Sequence, residues 1–257
     1  MSKSKRVTLI TGASSGIGAA TARRIAGPGE CLLLHARGGV DGNKIPLFEA
    51  VAEEARAAGA EVQISIGDLG EPGTAAALVN EAVEKFGQLD RIVSNAGFAL
   101  NKVVGEITRD DLEYSHTIIT GAFFELIDAA LPHLTASKCG RVVAVSSFVV
   151  DQVPIKRMFP ATAAAKGAME ALAKTFAVQV AAEGVTVNCV APGFTEKESA
   201  GHSALSQSSW QAAAELTPNQ RLAKPADIAA AIAFFLSDEA AHVTGQVLRV
   251  DGGLSLT

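Results

Sequence analysis

The sequence predicts an α/β protein, one parallel sheet with helices packed on its faces. Three observations carry that reading. Short apolar runs alternate with longer segments of helical period through all 257 residues. The short runs are rich in Val, Ile or Leu, as strands buried on both faces are. The first junction between such a run and a helix holds a glycine-rich turn, Thr11-Gly12-Ala13-Ser14-Ser15-Gly16-Ile17-Gly18.

Taken in order, strands are expected at Val7–Ile10, Cys31–His35, Val62–Ile66, Arg91–Val93, Arg141–Val145, Val185–Val190 and Val247–Val250. Helical period fills the intervals: Gly16–Ala26, Phe48–Ala58, Ala75–Phe86, Asp110–Leu134, Thr162–Glu183 and Ala226–Leu236. No linker or repeat interrupts this order, so the chain reads as a single domain over residues 1–257. Thr195–Pro218 is the exception to the rhythm. Rich in Ser, Ala and Gln, with Trp210 inside it, it reads as a mobile substrate lid carrying short helices.

A chain that is 48% hydrophobic and 19% charged buries a large core, which excludes a disordered polymer. Its 24 glycines keep no three-residue period, which excludes a collagen-like one. The formal charge of −5, with no Lys/Arg-rich stripe, argues against nucleic acid as a partner. The polar start lacks an apolar signal core, and the longest uninterrupted apolar run is the nine residues Ile228–Leu236, so a cytoplasmic protein without a membrane span is expected. Cys31, Cys139 and Cys189 are odd in number and widely spaced in apolar runs, as buried free thiols are. His35, His116, His133, His202 and His242 have no metal-ligand spacing, and no metal is expected. Neither a Gly-x-Ser-x-Gly elbow nor a P-loop occurs, which leaves hydrolase and kinase readings without support.

Placed between strand and helix, the glycine turn reads as a pyrophosphate cradle. Gly12, Gly16 and Gly18 allow a sharp turn, close backbone approach and tight helix packing, while Ser14, Ser15 and Ile17 lie at a helix N-terminus that offers N–H groups and partial positive charge. The second strand ends at His35-Ala36-Arg37, where an NAD site would present a carboxylate to the ribose diol. Arg37 offers a guanidinium fork instead, which favours the 2′-phosphate of NADP over NAD.

Asp68-Leu69 follows the third strand, Asn95-Ala96-Gly97 the fourth and Pro192-Gly193 the sixth; Arg221 to Ile228 and Thr244-Gly245-Gln246 with Asp251-Gly252-Gly253 lie near the end. Together with Thr11–Gly18 these resemble a classical short-chain dehydrogenase/reductase along essentially the whole chain. The resemblance implies a Rossmann-type domain with strand order 3-2-1-4-5-6-7 and a site along the carboxyl edge of the sheet. It implies Asp68 and Leu69 at the adenine, Asn95, Ala96 and Gly97 beside the cofactor ribose, and Pro192, Gly193 and Thr195 flanking the nicotinamide. It also implies a homodimer or homotetramer paired through the long helices beginning near Asp110 and Thr162, acting on a small molecule.

The catalytic set of that family departs here. The stretch Phe159–Met169 aligns Lys166 with the family lysine and puts Thr162 where the tyrosine belongs. The single tyrosine, Tyr114, is followed four residues later by Ile118, so Tyr-x-x-x-Lys occurs nowhere. Phe159, where divergent enoyl reductases place their tyrosine, has no hydroxyl. Ser147 matches the substrate-polarising serine, and Ile118 stands where the family carries Asn. A catalytic set of Ser147, Thr162 and Lys166 is left, with Lys166 also on the nicotinamide ribose.

Three readings follow. In the first the chain is an NADP-dependent oxidoreductase for a carbonyl, alcohol or enoyl substrate, its proton coming from water, Ser147 or Asp151, with Lys156, Arg157 and Lys197 facing an anionic substrate. In the second it is a non-catalytic NADP-binding subunit or sensor. In the third Thr162 was introduced for study. Tyr114, one helical turn from Ile118, is a further candidate to re-enter the site.

Overall fold

The computed structural model describes residues 5–154, 158–196 and 207–257. Its strands are β1 (Arg6–Thr11), β2 (Glu30–Ala36), β3 (Glu61–Ile66), β4 (Arg91–Ser94), β5 (Arg141–Val145), β6 (Thr186–Pro192) and β7 (Val247–Val250). They form one seven-stranded sheet in the order β3-β2-β1-β4-β5-β6-β7, and every recorded pairing is parallel. The order reverses between β2-β1 and β4-β5, and that reversal opens a crevice at the carboxyl ends of β1 and β4.

Side chains alternate between two cores, as the strand period of two requires. Val7, Leu9, Cys31 and Leu33 face a layer made by α3 (Thr74–Phe86), α5 (Ala122–Ala136) and α6 (Pro160–Gln179). Ile10, Leu32 and Leu34 face the other layer, made by α1 (Gly16–Ile25), α2 (Ile45–Ala57) and α8 (Pro225–Leu236). Continuous burial holds along β1, β2, β4, β5 and β6. It fails for β3, where only Val62 is buried, and for β7, where no residue is; each has a strand neighbour on one side only.

The long helix expected over Asp110–Leu134 is broken. It comprises α4 (Arg109–His116), a wide π turn at Thr117–Gly121, and then α5. Thr108 starts α4 with a reciprocal cap: its hydroxyl accepts from the Asp111 N–H, and the Asp111 carboxylate accepts from the Thr108 N–H. In the π turn the Thr120 hydroxyl donates to the Ala165 carbonyl, 2.8 Å away on α6. This run of 28 residues is long and apolar enough to cross a bilayer by length and composition. Within this fold it spends Phe123, Leu126, Ala130 and Leu134 on the core under the sheet.

Helix α6 begins two residues before the expected Thr162, because Pro160 sits in the first turn, where its missing N–H costs nothing. The segment Thr195–Pro218 is described only in part: it holds the helix α7 (Gln207–Glu215), while residues 197–206 lie outside the described residues. All three thiols are free, but Cys139 is half-buried rather than buried.

Candidate active site

The crevice collects the chain segments that leave β1, β4, β5 and β6. Gly12 has φ +67°, and a Cβ there would lie 2.9 Å from the Asn95 amide nitrogen. A Cβ on Gly18 would collide with the Gly12 carbonyl. Gly16 has φ +56° with open space above it. The three glycines thus have distinct reasons: two close contacts inside the turn, and one bare backbone facing the crevice. Exposed Ser15 caps α1 without a side-chain bond to the helix N–H groups, which leaves that end available to an anion.

Asn95 fixes the turn. Its side-chain amide donates to the carbonyls of Thr11 (3.0 Å) and Gly12 (3.1 Å), and the N–H groups of Asn95 and Ala96 both donate to the Thr11 hydroxyl. Asn95 therefore shapes the cradle from β4, a role beyond its expected place beside the ribose.

Arg37 and Asp68 meet at the other end of the crevice, with Nη1 4.0 Å from Oδ2. Asp68 is itself held by the Gly70 N–H, at 2.8 Å from its other oxygen, and Leu69 is buried beside it. Pro192 closes β6. Gly193 admits no side chain, since a Cβ would stand 2.8 Å from the Asp251 backbone, and the Thr195 hydroxyl donates to the Gly193 carbonyl.

Lys166 lies on the buried face of α6. Its Nζ donates to the Val145 carbonyl at 2.5 Å and lies 3.3 Å from where a Gly97 Cβ would be. Among the described residues it has no ion-pair partner. Burial away from water pushes its pKa down to about 8, with Cys189 and Glu170 opposing the shift. One turn on, buried Glu170 accepts a hydrogen bond from the Ser146 hydroxyl at 2.5 Å, and burial raises its carboxyl above the usual range. The two side chains hold the last residue of β5, Val145, and the residue after it, Ser146. Glu170 escaped the sequence reading, although a carboxylate four residues after a buried lysine is a visible signal.

Thr162 is 3% exposed, and its hydroxyl accepts from the Leu100 N–H at 3.0 Å, so it joins α6 to the segment after β4. Ser147 accepts weakly from the Val149 N–H at 3.4 Å, which leaves its O–H free to donate. Ile118 is buried in the π turn, with its Cδ1 3.0 Å from where a Gly70 Cβ would be. Asp151 is paired with β7: both Arg249 Nε and Nη2 donate to its Oδ2, at 2.9 and 2.8 Å. The Tyr114 hydroxyl is 3.4 Å from Arg37 Nη1. Lys156, Arg157, Lys197 and His202 lie outside the described residues. The described residues hold no metal-binding cluster of His, Cys, Asp and Glu.

A family model described as enoyl-(acyl carrier protein) reductase matches residues 12–255. The chain belongs to the short-chain dehydrogenase/reductase family. The 3-oxoacyl-[acyl-carrier-protein] reductase FabG of Staphylococcus aureus is 33% identical over 266 residues, covering 98% of this chain and 99% of that one. Among solved structures, a blue fluorescent protein from a metagenomic library in complex with NADPH superposes with TM-score 0.89 at 27% identity, covering 99% of each chain. A short chain dehydrogenase from Burkholderia cenocepacia J2315 in complex with NADP gives TM-score 0.86 at 28% identity, covering 97% of each. This short-chain dehydrogenase/reductase shares their architecture from end to end.

Proposed function

We propose that the chain is an NADP(H)-dependent oxidoreductase that reduces a carbonyl or enoyl group, or runs the reverse oxidation, with Lys166 handling the proton where the family uses tyrosine. The observation that carries this reading is the buried Lys166 ammonium. A cation without an ion-pair partner is costly to bury, and such groups gather where chemistry needs them. The solved relatives with NADPH and NADP bound support the cofactor.

The residues fit a dinucleotide. The bare backbone of Gly16 and the free helix end at Ser15 suit a pyrophosphate, Arg37 suits a 2′-phosphate, and Asp68 with Leu69 borders the adenine. Pro192, Gly193 and Thr195 border the nicotinamide end. Bound NADPH supplies a hydride.

The chain supplies orientation and a proton. Ser147 directs its free O–H at a substrate oxygen. Lys166, with a pKa near 8, is charged at neutral pH yet gives up its proton more readily than a solvated lysine. Thr162 in place of the tyrosine replaces a phenol by a shorter, less acidic hydroxyl, and Ile118 in place of the Asn removes a side-chain amide from the family set. Thr162, bound to the Leu100 N–H, keeps the wall of the site in place.

A survey of ketones and enoyl thioesters, following NADPH consumption, tests this with the wild-type chain and Lys166→Met. Turnover lost in the variant supports the assignment. Equal turnover in both would remove Lys166 from the chemistry, and a wild-type chain that binds NADPH but turns over neither class would favour a non-catalytic subunit.

A further inference from the structure

The chain's one tyrosine stands at the adenosine end of the crevice. Arg37 Nη1 is 3.4 Å from the Tyr114 hydroxyl oxygen and 4.0 Å from Asp68 Oδ2. The Tyr114 ring leans on Phe98, one residue beyond Gly97, with centroids 5.4 Å apart and planes tilted by 34°. The ends of β2, β3 and β4 and the middle of α4 thus converge on one guanidinium. Tyr114 is 45% exposed, so its hydroxyl is not consumed by the core.

We propose that Tyr114 is a specificity residue for the 2′-phosphate, holding Arg37 in place and presenting its own O–H to the same phosphate. The inference rests on the NADP reading above. Both Arg37 contacts use Nη1, which leaves Nη2 and Nε of the planar fork for a bidentate grip on phosphate. The phenol oxygen accepts from Nη1, so its own hydrogen points elsewhere and is a second donor. Asp68, 4.0 Å away, offsets part of the charge that Arg37 offers a dianion. A neutral O–H donor beside the exposed pair adds attraction for phosphate without adding a further charge. An arginine is long and loses rotamer freedom on binding, so a partner that holds it beforehand strengthens recognition.

The test is equilibrium binding by the unliganded full-length chain, independent of turnover. NADPH and NADH are titrated by cofactor fluorescence into wild type, Tyr114→Phe and Arg37→Ala, with adenosine 2′,5′-bisphosphate as a competitor. Loss of one charge-assisted hydrogen bond predicts that Tyr114→Phe weakens NADPH and the bisphosphate by about tenfold and leaves NADH unchanged. The melting temperature of the unliganded variant should match wild type. Equal weakening of NADPH and NADH would reduce Tyr114 to a packing residue, and unchanged or tighter NADPH binding would also overturn the proposal. Those failures are distinct from failure of the cofactor reading, which would show as a wild-type chain without NADPH preference, or as Arg37→Ala retaining it, and would sink both.

Discussion

Lys166 carries opposed demands on one side chain. Its pKa in the folded chain, about 8, lies below the ordinary 10.5, so burial of the charged form is unfavourable. Between those values the unfolded chain binds more protons, and this group's contribution to stability rises with pH through about 8 to 10.5. Below pH 8 the full penalty is present, roughly 3 kcal/mol from the size of the shift. Lys166→Met should therefore stabilise the unliganded chain at pH 7 by about 1–3 kcal/mol, less the lost bond to the Val145 carbonyl, while abolishing turnover. Urea denaturation of both chains from pH 7 to 10 checks this: the gap should close as pH rises, and a constant gap would mean an unperturbed lysine. With Lys166 as acid, kcat/KM for reduction should fall as pH rises past about 8. Restoring the family set by Thr162→Tyr with Ile118→Asn should speed ketone reduction, by roughly 10²–10⁴-fold if tyrosine recovers its role in acid catalysis. No gain on ketones, with enoyl turnover unaffected, would point to C=C reduction. Thr162 is buried, so overpacking will cost about 1–3 kcal/mol of stability, measured by the same denaturation.

At the scale of elements, the glycine turn is a joint product of β1, α1 and β4. Asn95→Ala would strip the Thr11 and Gly12 carbonyls of their donor and should cost about 1–3 kcal/mol, together with NADPH affinity. Gly18→Ala forces a methyl into the Gly12 carbonyl and should abolish measurable NADPH binding even where the chain still folds. NADPH fluorescence titration reads both variants. The π turn at Thr117–Gly121 has a comparable standing. It sets Ile118 toward Gly70 and Ile119 toward Gly97, and ties itself to α6 one residue before Lys166. Such widened turns accompany functional sites, but nothing in the helical period of Asp110–Leu134 announces one, because an inserted residue leaves the apolar period nearly intact on either side.

For the whole molecule, the outer faces of α5 and α6 keep Phe124 at 51% and Val178 at 80% exposure. The family resemblance implies that copies pair through these helices, and light scattering on a sizing column should return a dimer or tetramer. Phe124→Asp with Val178→Asp should shift it to a smaller species; an unchanged mass would place the interface elsewhere. How much of this was legible varies with the kind of signal. Alternation of apolar runs and helical periods predicted every strand, because strands buried between two helix layers must be apolar throughout. The same rule misjudged β3 and β7, since which strands lie at the edges depends on the order of pairing. The segments expected to face the crevice were readable because each is contiguous and sits at a strand end. The ion pair of Asp151 was not legible, because its partner, Arg249, is 98 residues away on β7. Tyr114 was read against Ile118, its neighbour on the helix, when its contact is Arg37 at the end of β2.

The sequence by itself determined the fold class, the glycine turn, a guanidinium at Arg37 in place of a carboxylate after the second strand, and the loss of Tyr-x-x-x-Lys, because backbone period, local turn chemistry and residue identity are all written in contiguous stretches. Only the tertiary structure decided that Asn95 braces the glycine turn, that Thr162 is bound to Leu100, that Lys166 and Glu170 grip Val145 and Ser146 at the end of β5, and that Tyr114 belongs with Arg37. Those are contacts between segments far apart in the chain, and their geometry exists only once the parallel sheet has brought the strand ends to one edge.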